Sequence, residues 1–327
     1  MVAWIASLSA CIAATCVATG AHAQVPVDSY PSKPLRLIVP NPPGGGVDLL
    51  ARIVAQKLAE RLGQPIVIDN RPGAAGTTGM SLAARAPADG YVLGMGVTAT
   101  LAIAPALYPK LPYDPLRSFS PIALLGVTPL IVVVHPSLPV RTIKELVAFA
   151  NARPAQLNYS TGGSATPPHL SVELFKHLTG INFTHVPYKG GPPAVTAVVG
   201  GEVALMFANM VPGLVQIRAG RLRALAITSA QRWRTLPDLP TVIEGGVAGY
   251  EVVQWYGMLG PAGLPLPIVD RLSREIEQVL RLNDVKEQFD NDGAEIVYRG
   301  PNTFPAFLRE EMKKWGDAVR ISGATAD

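Results

Sequence analysis

The chain has 327 residues, of which 48% are hydrophobic and 16% charged, so it can bury a core large enough for about two domains. Its formal net charge of +4 is spread along the sequence, and no run of Lys or Arg is longer than two residues. Binding to a nucleic-acid backbone needs a concentrated basic stripe. We therefore predict a globular protein with no nucleic-acid partner.

Residues 1–23 contain no Lys, Arg, Asp or Glu and end in Ala-His-Ala, the small-x-small pattern that precedes a signal-peptidase site. We predict an export signal cleaved before Gln24, and hence a periplasmic protein. Two alternatives are a membrane anchor and a lipoprotein modified at Cys11. Both are disfavoured, because the apolar run is short for a membrane span and Cys11 lies too close to Met1 to follow an apolar region. The usual basic region is missing, which leaves open that translation starts elsewhere.

Both cysteines, Cys11 and Cys16, fall inside this predicted signal. The mature chain would then contain no thiol. Disulfides, thiolate metal sites and cysteine nucleophiles are excluded together, which suits an oxidising compartment.

Short β-branched runs alternate with amphipathic helices from residue 35 onward. The predicted elements of this first part are the strand "LRLIVP", a helix over 48–62, the strand "PIVIDN", a helix over 76–86 and the strand "YVLGMG". Apolar residues recur at three- and four-residue intervals from Leu49 to Leu62, which gives the first helix a stripe that packs on a sheet. This order predicts a parallel sheet with helices on both faces.

After residue 120 a second set of strands and helices follows. The predicted strands are "LIVVVHPS", "LNYST", "FTHVPYK", "VALMFAN" and "RALAITS", with helices over 142–152 and 169–179 among them. The segment "YEVVQWYGMLGPAGLPLP" then leads to two helical stretches, the last near 302–320. We predict two α/β lobes joined by crossing strands around a hinged cleft, with lobe 1 formed by 24–125 and 251–327 and lobe 2 by 126–250.

The segment "PNPPGGGVD" joins the first predicted strand to the first helix. Gly44, Gly45 and Gly46 allow close approach of the backbone to a ligand, and Asp48 can cap the helix start. A nucleotide is excluded, because Gly-Lys-Ser/Thr and G-x-G-x-x-G are both absent. A small anion held by amides and a tight turn with a capping Asp both remain open for this loop.

The second predicted lobe contains a comparable loop, "NYSTGGSATPPHL", with several hydroxyls and two glycines before a helix. These groups suit a carboxylate, although a Ser/Thr-rich helix cap fits this loop equally well. Two such loops facing each other across a hinge favour a carboxylate clamp.

Catalytic and metal-binding patterns are absent from the sequence. It contains no G-x-S-x-G and no H-E-x-x-H, and its five histidines lack metal-ligand spacing. We therefore expect no metal, no cofactor and no enzymatic activity. An exported enzyme with an unrecognised site remains an alternative, as does a sensor that passes its closed state to a signalling partner.

Six successive blocks of the sequence carry a family resemblance. They are the stretch from "YPSKPLRLIVP" to "GAAGTTG", "ADGYVLGMG", "LNYSTGGSATPPHLSVELFKHLTG", "HVPYKGGPPAVTAVVGGEVALMFAN", "AGRLRALAITSAQRWRTLPDLPTVIEGG" and "WYGMLGPAGLP". Together they span essentially the whole mature chain. They resemble the Bug family, the TctC-like solute receptors of tripartite tricarboxylate transporters.

The resemblance implies a periplasmic-binding-protein fold of the two-lobed Venus-flytrap type (type II). It also implies a small organic acid, of the di- or tricarboxylate type, as ligand and the permease subunits of a tripartite tricarboxylate transporter as partners, and we expect the receptor to be a monomer. The ligand-binding positions that it implies are Gly44, Gly45, Asp48, Thr161, Gly163, Thr166 and His169, with Gly76 and Thr78 as weaker candidates.

Three positions depart from the pattern of the family. Asn41 replaces a frequent aromatic residue, so an amide takes the place of an apolar wall. Ala165 replaces a frequent glycine, which constrains the second loop. Ala208 stands where relatives often carry Asp, from which we predict a ligand without an amino group.

Overall fold

The computed structural model describes residues 30–325, so the predicted signal peptide and its cleavage before Gln24 lie outside the described residues. The strands are β1 (Leu35–Val39), β2 (Ile66–Asn70), β3 (Val92–Val97), β4 (Phe119–Val134), β5 (Asn158–Thr161), β6 (Thr184–Pro187), β7 (Leu205–Asn209), β8 (Arg223–Ile227), β9 (Val253–Pro261) and β10 (Glu295–Arg299). The helices are α1 (Gly46–Leu62), α2 (Thr77–Ala84), α3 (Ala104–Leu107), α4 (Ile143–Ala152), α5 (Pro167–Thr179), α6 (Gly191–Val199), α7 (Met210–Arg218), α8 (Leu266–Arg281), α9 (Asn283–Asn291) and α10 (Phe304–Ser322).

Helix α1 buries the apolar face that its sequence pattern predicts. Leu50, Val54 and Leu58 are buried and belong to one apolar cluster with the strand residue Leu37. The helix ends at Gly63, whose left-handed φ of 68° lets its N–H bond back to the last turn. The periodicity of the sequence therefore predicted both the existence of this helix and the face that it buries.

The sheet of lobe 1 is parallel at one side and antiparallel at the other. β1 lies between β2 and β3 and runs parallel to both, whereas β3 pairs antiparallel with β9. β9 pairs antiparallel with β4, and β10 adds to the far side of β4. The carboxyl ends of β1, β2 and β3 consequently lie at one edge, where the loops after them are close together.

Lobe 2 repeats this plan. β5 is parallel to β6 and to β7, and β7 pairs antiparallel with the second half of β4. β8 also pairs with that half of β4. The second parallel sheet predicted after residue 120 is thus confirmed for β5, β6 and β7.

Strand β4 connects the lobes. Its residues from Phe119 to Pro129 pair with β9, and those from Leu130 onward pair with β7. At this change of partner the Leu130 N–H donates to Thr228 Oγ1 at 2.7 Å. Two adjacent antiparallel strands, β4 and β9, therefore carry the chain from one lobe to the other and back.

Helix α10 packs against elements of both lobes. It contacts α5 in lobe 2 and α3 in lobe 1. Its buried Glu311 Oε2 accepts from the indole N–H groups of Trp255 at 3.0 Å and Trp315 at 2.9 Å. One apolar cluster runs through Ile38, Phe304 and Phe175, so the hydrophobic core is continuous from one lobe to the other along α10.

Candidate functional site

Two neighbouring residues of β9 bring the strand ends of the two lobes together. The Trp255 N–H donates to Thr98 Oγ1 at 2.9 Å, directly after β3. Gln254 Nε2 donates to Asn209 Oδ1 at 2.8 Å, at the end of β7. The carboxyl ends of a lobe 1 strand and a lobe 2 strand thus flank one point on the crossing strand, which is where an open α/β sheet offers a ligand site.

The first glycine loop is held by Asp48. Asp48 is 2% exposed, and its Oδ2 accepts from the Gly44 N–H and from Arg52 Nε, both at 2.9 Å. Its Oδ1 accepts from Asn70 Nδ2 at 2.8 Å. Burial raises the pKa of this carboxyl, but the bonds from Arg52, Gly44 and Asn70 outweigh that effect and hold the pKa below its ordinary value. Asp48 therefore stays ionised and fixes the loop, and both of its oxygens are occupied.

The amides that this loop presents are those at the start of α1. Gly45 is the N-cap residue of the helix and is exposed, as is Gly44. The first N–H groups of a helix have no acceptor within the helix and carry partial positive charge. Asn41 lies in the same loop, and its Oδ1 is buried without a hydrogen-bond partner in the described part of the chain. These groups suit a small anion that also offers a donor or an acceptor.

The turn after β2 has an unusual backbone. Four successive residues, Gly73 to Gly76, have positive φ, including Ala74 at 45° and Ala75 at 53°. A Cβ at Gly76 would lie 2.8 Å from Thr100 Cγ2 and 3.1 Å from the Pro40 carbonyl oxygen, so only glycine fits there. Left-handed alanines cost energy and are concentrated at functional sites. Gly76 packs this turn against the first loop.

Thr78, the weaker candidate beside Gly76, is exposed at the start of α2. Its backbone N–H points toward the Gly73 carbonyl at 3.5 Å. Its hydroxyl is therefore accessible from solvent at the same edge of the sheet.

The second-lobe loop is built from hydroxyl and imidazole bonds. Thr161 Oγ1 donates to the Gly163 carbonyl at 3.0 Å, and Thr166 Oγ1 donates to the same oxygen at 2.9 Å. The Ala165 N–H donates to His169 Nδ1 at 3.0 Å. Ala165 has a left-handed φ of 57°, which is the conformation that glycine adopts at lower cost. Ala165, which departs from the family pattern, therefore has a strained backbone that its neighbours must hold in place.

The sequence interpretation of this loop needs one correction. Helix α5 begins with Pro167 and Pro168, which have no N–H groups to offer. The donors for an anion must therefore come from the loop 162–166 itself. Thr161 is completely buried and His169 is 8% exposed, so both support the loop from beneath.

A stacked group of rings lies under this loop. The His169 and His185 ring centroids are 4.2 Å apart, and Tyr159 stacks on His185 at 4.9 Å. Thr161 Oγ1 is 2.7 Å from His185 Nε2. No local pattern in the sequence indicates this group of rings. β5, α5 and β6 bring the three residues together from separate positions along the chain.

Ala208 lies in β7 with its side chain 0% exposed, in the apolar cluster of β4, α6 and α7. It is on the face of β7 that packs against α7, and a Cβ on Gly213 would lie 3.2 Å from its Cβ. Asn209, the next residue, lies at the end of the strand. That the ligand lacks an amino group stays a prediction.

A groove of about 910 Å³ lies elsewhere, between α8 and the turn before α10. It is lined among others by Asp270, Arg271 and Tyr298, and by none of the predicted ligand residues. The strand ends, in contrast, combine backbone amides with strained backbone.

The family model described as "Tripartite tricarboxylate transporter family receptor" (TctC) matches residues 50–323. The chain belongs to the TctC family. Protein BugT of Bordetella pertussis is 38% identical to it over 306 residues, which cover 93% of this chain and 94% of BugT. The resemblance to TctC-like Bug receptors in the sequence blocks is thereby confirmed.

Solved structures of similar proteins confirm the two-lobed fold of the TctC receptor. Rpa4515 of R. palustris, solved with adipate, superimposes with a TM-score of 0.84 at 35% identity and covers 90% of this chain and 99% of its own. MatC from Rhodopseudomonas palustris, solved with bound malate, gives 0.79 at 32% identity and covers 89% of this chain and 100% of its own. TctC receptors are periplasmic solute-binding proteins.

Two properties of residues 30–325 concern membranes and metal ions. Within residues 30–325, no helix is long and apolar enough to cross a membrane. The same part of the chain contains no group of three or more His, Cys, Asp or Glu side chains placed to hold a metal ion.

Proposed function

We propose that this protein binds a small organic carboxylate, of the di- or tricarboxylate type, in the cleft between its lobes and passes it to the permease subunits of a tripartite tricarboxylate transporter. The observation that carries this proposal is the set of uncharged polar groups at the strand ends: the glycine amides and the Thr78 hydroxyl as donors, and the Asn41 Oδ1 as an acceptor for a ligand hydroxyl. The similarity to receptors solved with adipate and with malate supports the choice of a dicarboxylate.

The charged side chains in the loops are paired with one another, which favours recognition of the ligand by uncharged groups. Asp48 is bonded to Arg52, and Arg71 is bonded to Asp69, so the charged side chains near the first two loops already have partners. Burying an additional cation against a ligand would carry a desolvation cost. Uncharged donors avoid that cost and leave the discrimination between carboxylates to the size of the cleft and to bound water.

We propose the same organisation of the chain as predicted from its sequence. Residues 1–23 are an export signal cleaved before Gln24, lobe 1 comprises 24–125 and 251–327, and lobe 2 comprises 126–250. The change of partner along β4 and the return of the chain on β9 support this division. The receptor acts as a monomer, without a metal or cofactor, and releases its ligand unchanged.

Thermal unfolding of the chain from Gln24 onward tests the ligand class. Adipate, malate, succinate, citrate and benzoate are compared with choline, a cation that has no carboxylate for the helix start and the uncharged donors to bind. A ligand at about 100 times its Kd stabilises the folded state by about 2.7 kcal/mol, which raises the midpoint by several degrees. We expect this shift with at least one dicarboxylate and none with choline.

Two outcomes would contradict the proposal. If no carboxylate shifts the midpoint, even after unfolding and refolding to remove ligand carried over from expression, the ligand class is wrong. If a stabilising carboxylate is chemically altered after incubation with stoichiometric protein, as followed by proton NMR, the protein is an enzyme and not a receptor.

A further inference from the structure

We propose that His169 and His185 form a positioning pair that holds the 162–166 loop in its binding conformation only while His169 is neutral at Nδ1. Carboxylate affinity then falls as the pH drops through the titration of His169. This inference rests on the proposed function, since it concerns the regulation of the same cleft.

The bond from Ala165 defines the protonation state of His169. Nδ1 of His169 accepts the Ala165 N–H at 3.0 Å, so this nitrogen carries no proton and a neutral ring is protonated at Nε2. That Nε2 lies 3.9 Å from Glu173 Oε1. A proton added to Nδ1 would turn the acceptor into a donor that faces another donor. Protonation of His169 and the bond from Ala165 therefore exclude each other.

Losing this bond has a specific consequence for the loop. Ala165 adopts a left-handed φ of 57°, which costs a residue with a side chain about 1–2 kcal/mol. Such conformations persist only where the surroundings hold them. The His169 acceptor is the side-chain contact that holds the Ala165 amide. Without it, the loop that supplies the lobe 2 donors is free to relax.

His185 couples to the same loop from β6. Thr161 Oγ1 donates its single proton to the Gly163 carbonyl, so it accepts from His185 Nε2 at 2.7 Å. The two imidazole rings are stacked at 4.2 Å. A charge on one ring therefore opposes a charge on the other. His185 keeps its bond to Thr161 when it is protonated, because Nε2 still donates, so His169 is the ring whose protonation breaks a loop bond.

The charged and titratable groups described near the pair include Glu173, Lys176 and Tyr159. Glu173 on α5 accepts from the Tyr159 hydroxyl at 2.5 Å and from Lys176 Nζ at 2.9 Å. Burial and the bond to Glu173 raise the pKa of Tyr159, so its hydroxyl remains a donor. β7 and α6, which pack against α5 and β5, contain no titratable side chain. On α10, which also packs against α5, the buried Glu311 is bonded to Trp255 and Trp315.

These surroundings give His169 two opposing influences. The Glu173 carboxylate favours a protonated imidazole, but its charge is shared with Lys176. The Ala165 N–H and the stacked His185 ring oppose protonation. An imidazole of ordinary pKa changes its protonation between pH 8 and pH 5.5, so the proposal is tested over that interval.

Calorimetric titration with adipate and malate at pH 8.0, 7.0 and 5.5 tests the proposal. The key variant is His169→Asn, because Asn Oδ1 occupies the place of Nδ1 and accepts the Ala165 N–H but does not titrate. His169→Leu removes the acceptor at every pH. Titration of the ligand itself affects both proteins equally, so it cancels in the ratio of the wild-type affinity to the His169→Asn affinity.

We expect that ratio to fall about tenfold from pH 8.0 to pH 5.5, because only the wild type loses the acceptor of the Ala165 N–H on protonation. His169→Asn should bind several-fold more weakly than the wild type at pH 8.0 and retain most of that affinity at pH 5.5. His169→Leu should bind weakly throughout. A ratio that is constant with pH, or a His169→Leu variant that matches His169→Asn, would overturn the proposal.

A measurement without ligand separates this proposal from the proposed function. Nitrogen-15 NMR of the imidazoles should show an unprotonated His169 Nδ1 at pH 8.0, and exchange of the Ala165 amide should accelerate as that ring titrates. If neither adipate nor malate binds but this titration is observed, the choice of ligand fails and the pair stands. If Nδ1 of His169 is protonated at pH 8.0, the pair is refuted whatever the ligand.

Discussion

The first-lobe loop at 40–48 and the second-lobe loop at 162–166 are held by different kinds of side chain. In lobe 1 an ionised carboxylate, Asp48, is bonded to Arg52, Asn70 and the Gly44 amide. In lobe 2 the equivalent support comes from neutral threonine and histidine groups. Two loops at equivalent strand ends can thus serve one cleft and lose their support on protonation in different pH ranges.

The sign of each dependence follows from the groups involved. The pKa of Asp48 is lowered in the folded state, so its contribution to stability is present above the unfolded value of about 3.9 and is lost as the pH falls through the lowered pKa. The lobe 1 loop is therefore unaffected between pH 8 and pH 5.5. The lobe 2 loop changes within that interval if His169 titrates there.

The largest effect should come from Gly76→Ala in the turn that packs against the lobe 1 loop. The added Cβ would meet Thr100 and Pro40 at a residue with a φ of 89°, so we expect the free energy of unfolding to fall by about 2–5 kcal/mol. Gly44→Ala is the matched control: its φ of 79° is similar, but a Cβ there meets no atom within 4 Å. Urea denaturation of both variants measures the difference, and equal losses would show that packing at Gly76 is unimportant.

A smaller effect is expected from Asp48→Ala. It leaves the Gly44 amide, Arg52 and Asn70 without their acceptor, which should cost about 1–3 kcal/mol at pH 7. Glu277→Ala, which removes an exposed ion pair with Arg281, should cost less than about 0.5 kcal/mol. The gap between wild type and Asp48→Ala should begin to close below pH about 3.9, where the unfolded chain takes up the proton, and should vanish once the pH passes the lowered pKa of the folded carboxyl. A loss that is independent of pH would mean that the charge of Asp48 is not what holds the loop.

The smallest change in stability is expected from Ala165→Gly. Relief of the left-handed conformation, about 1–2 kcal/mol, is partly offset by the greater entropy of glycine in the unfolded chain, about 0.5–1 kcal/mol. Ala155→Gly is the matched control, since Ala155 has a φ of 58° and lies outside the site. We expect both variants to melt at or slightly above the wild-type midpoint, and only Ala165→Gly to weaken adipate binding several-fold. Equal affinities in the two variants would mean that the fixed Ala165 conformation plays no part in binding.

The sequence predicted those parts of the fold that depend on local pattern. The stripe of α1 and the β-branched runs of β1, β2 and β5 identify their elements, because periodicity and propensity act over a few residues. The first half of β4, together with α9 and β10, escaped prediction. β4 changes its pairing partner between Pro129 and Leu130, and no local pattern records such a change.

The candidate site was predicted only in outline. The glycine loop and the hydroxyl loop are visible in the sequence, and the two prolines that begin α5 could have been recognised there as lacking N–H groups. The partners that hold these loops could not be predicted, because they are far away in the sequence. Asn70 bonds to Asp48 from 22 residues away, and His185 contacts Thr161 from 24 residues away. The burial of Ala208 under α7 was not predicted, because alternation along β7 does not tell which of two buried faces packs against a helix.

The continuous apolar cluster along α10 has a consequence for dividing the protein. Because α10 packs on α5 of lobe 2 as well as on α3 of lobe 1, an isolated lobe 2 would expose the face of α5 that α10 covers, and an isolated lobe 1 would expose the face of α10 that packs on α5. Neither lobe can therefore be transferred to another protein on its own. Exchanging lobes between receptors to alter their specificity would require α10 and its apolar contacts to be transferred as well.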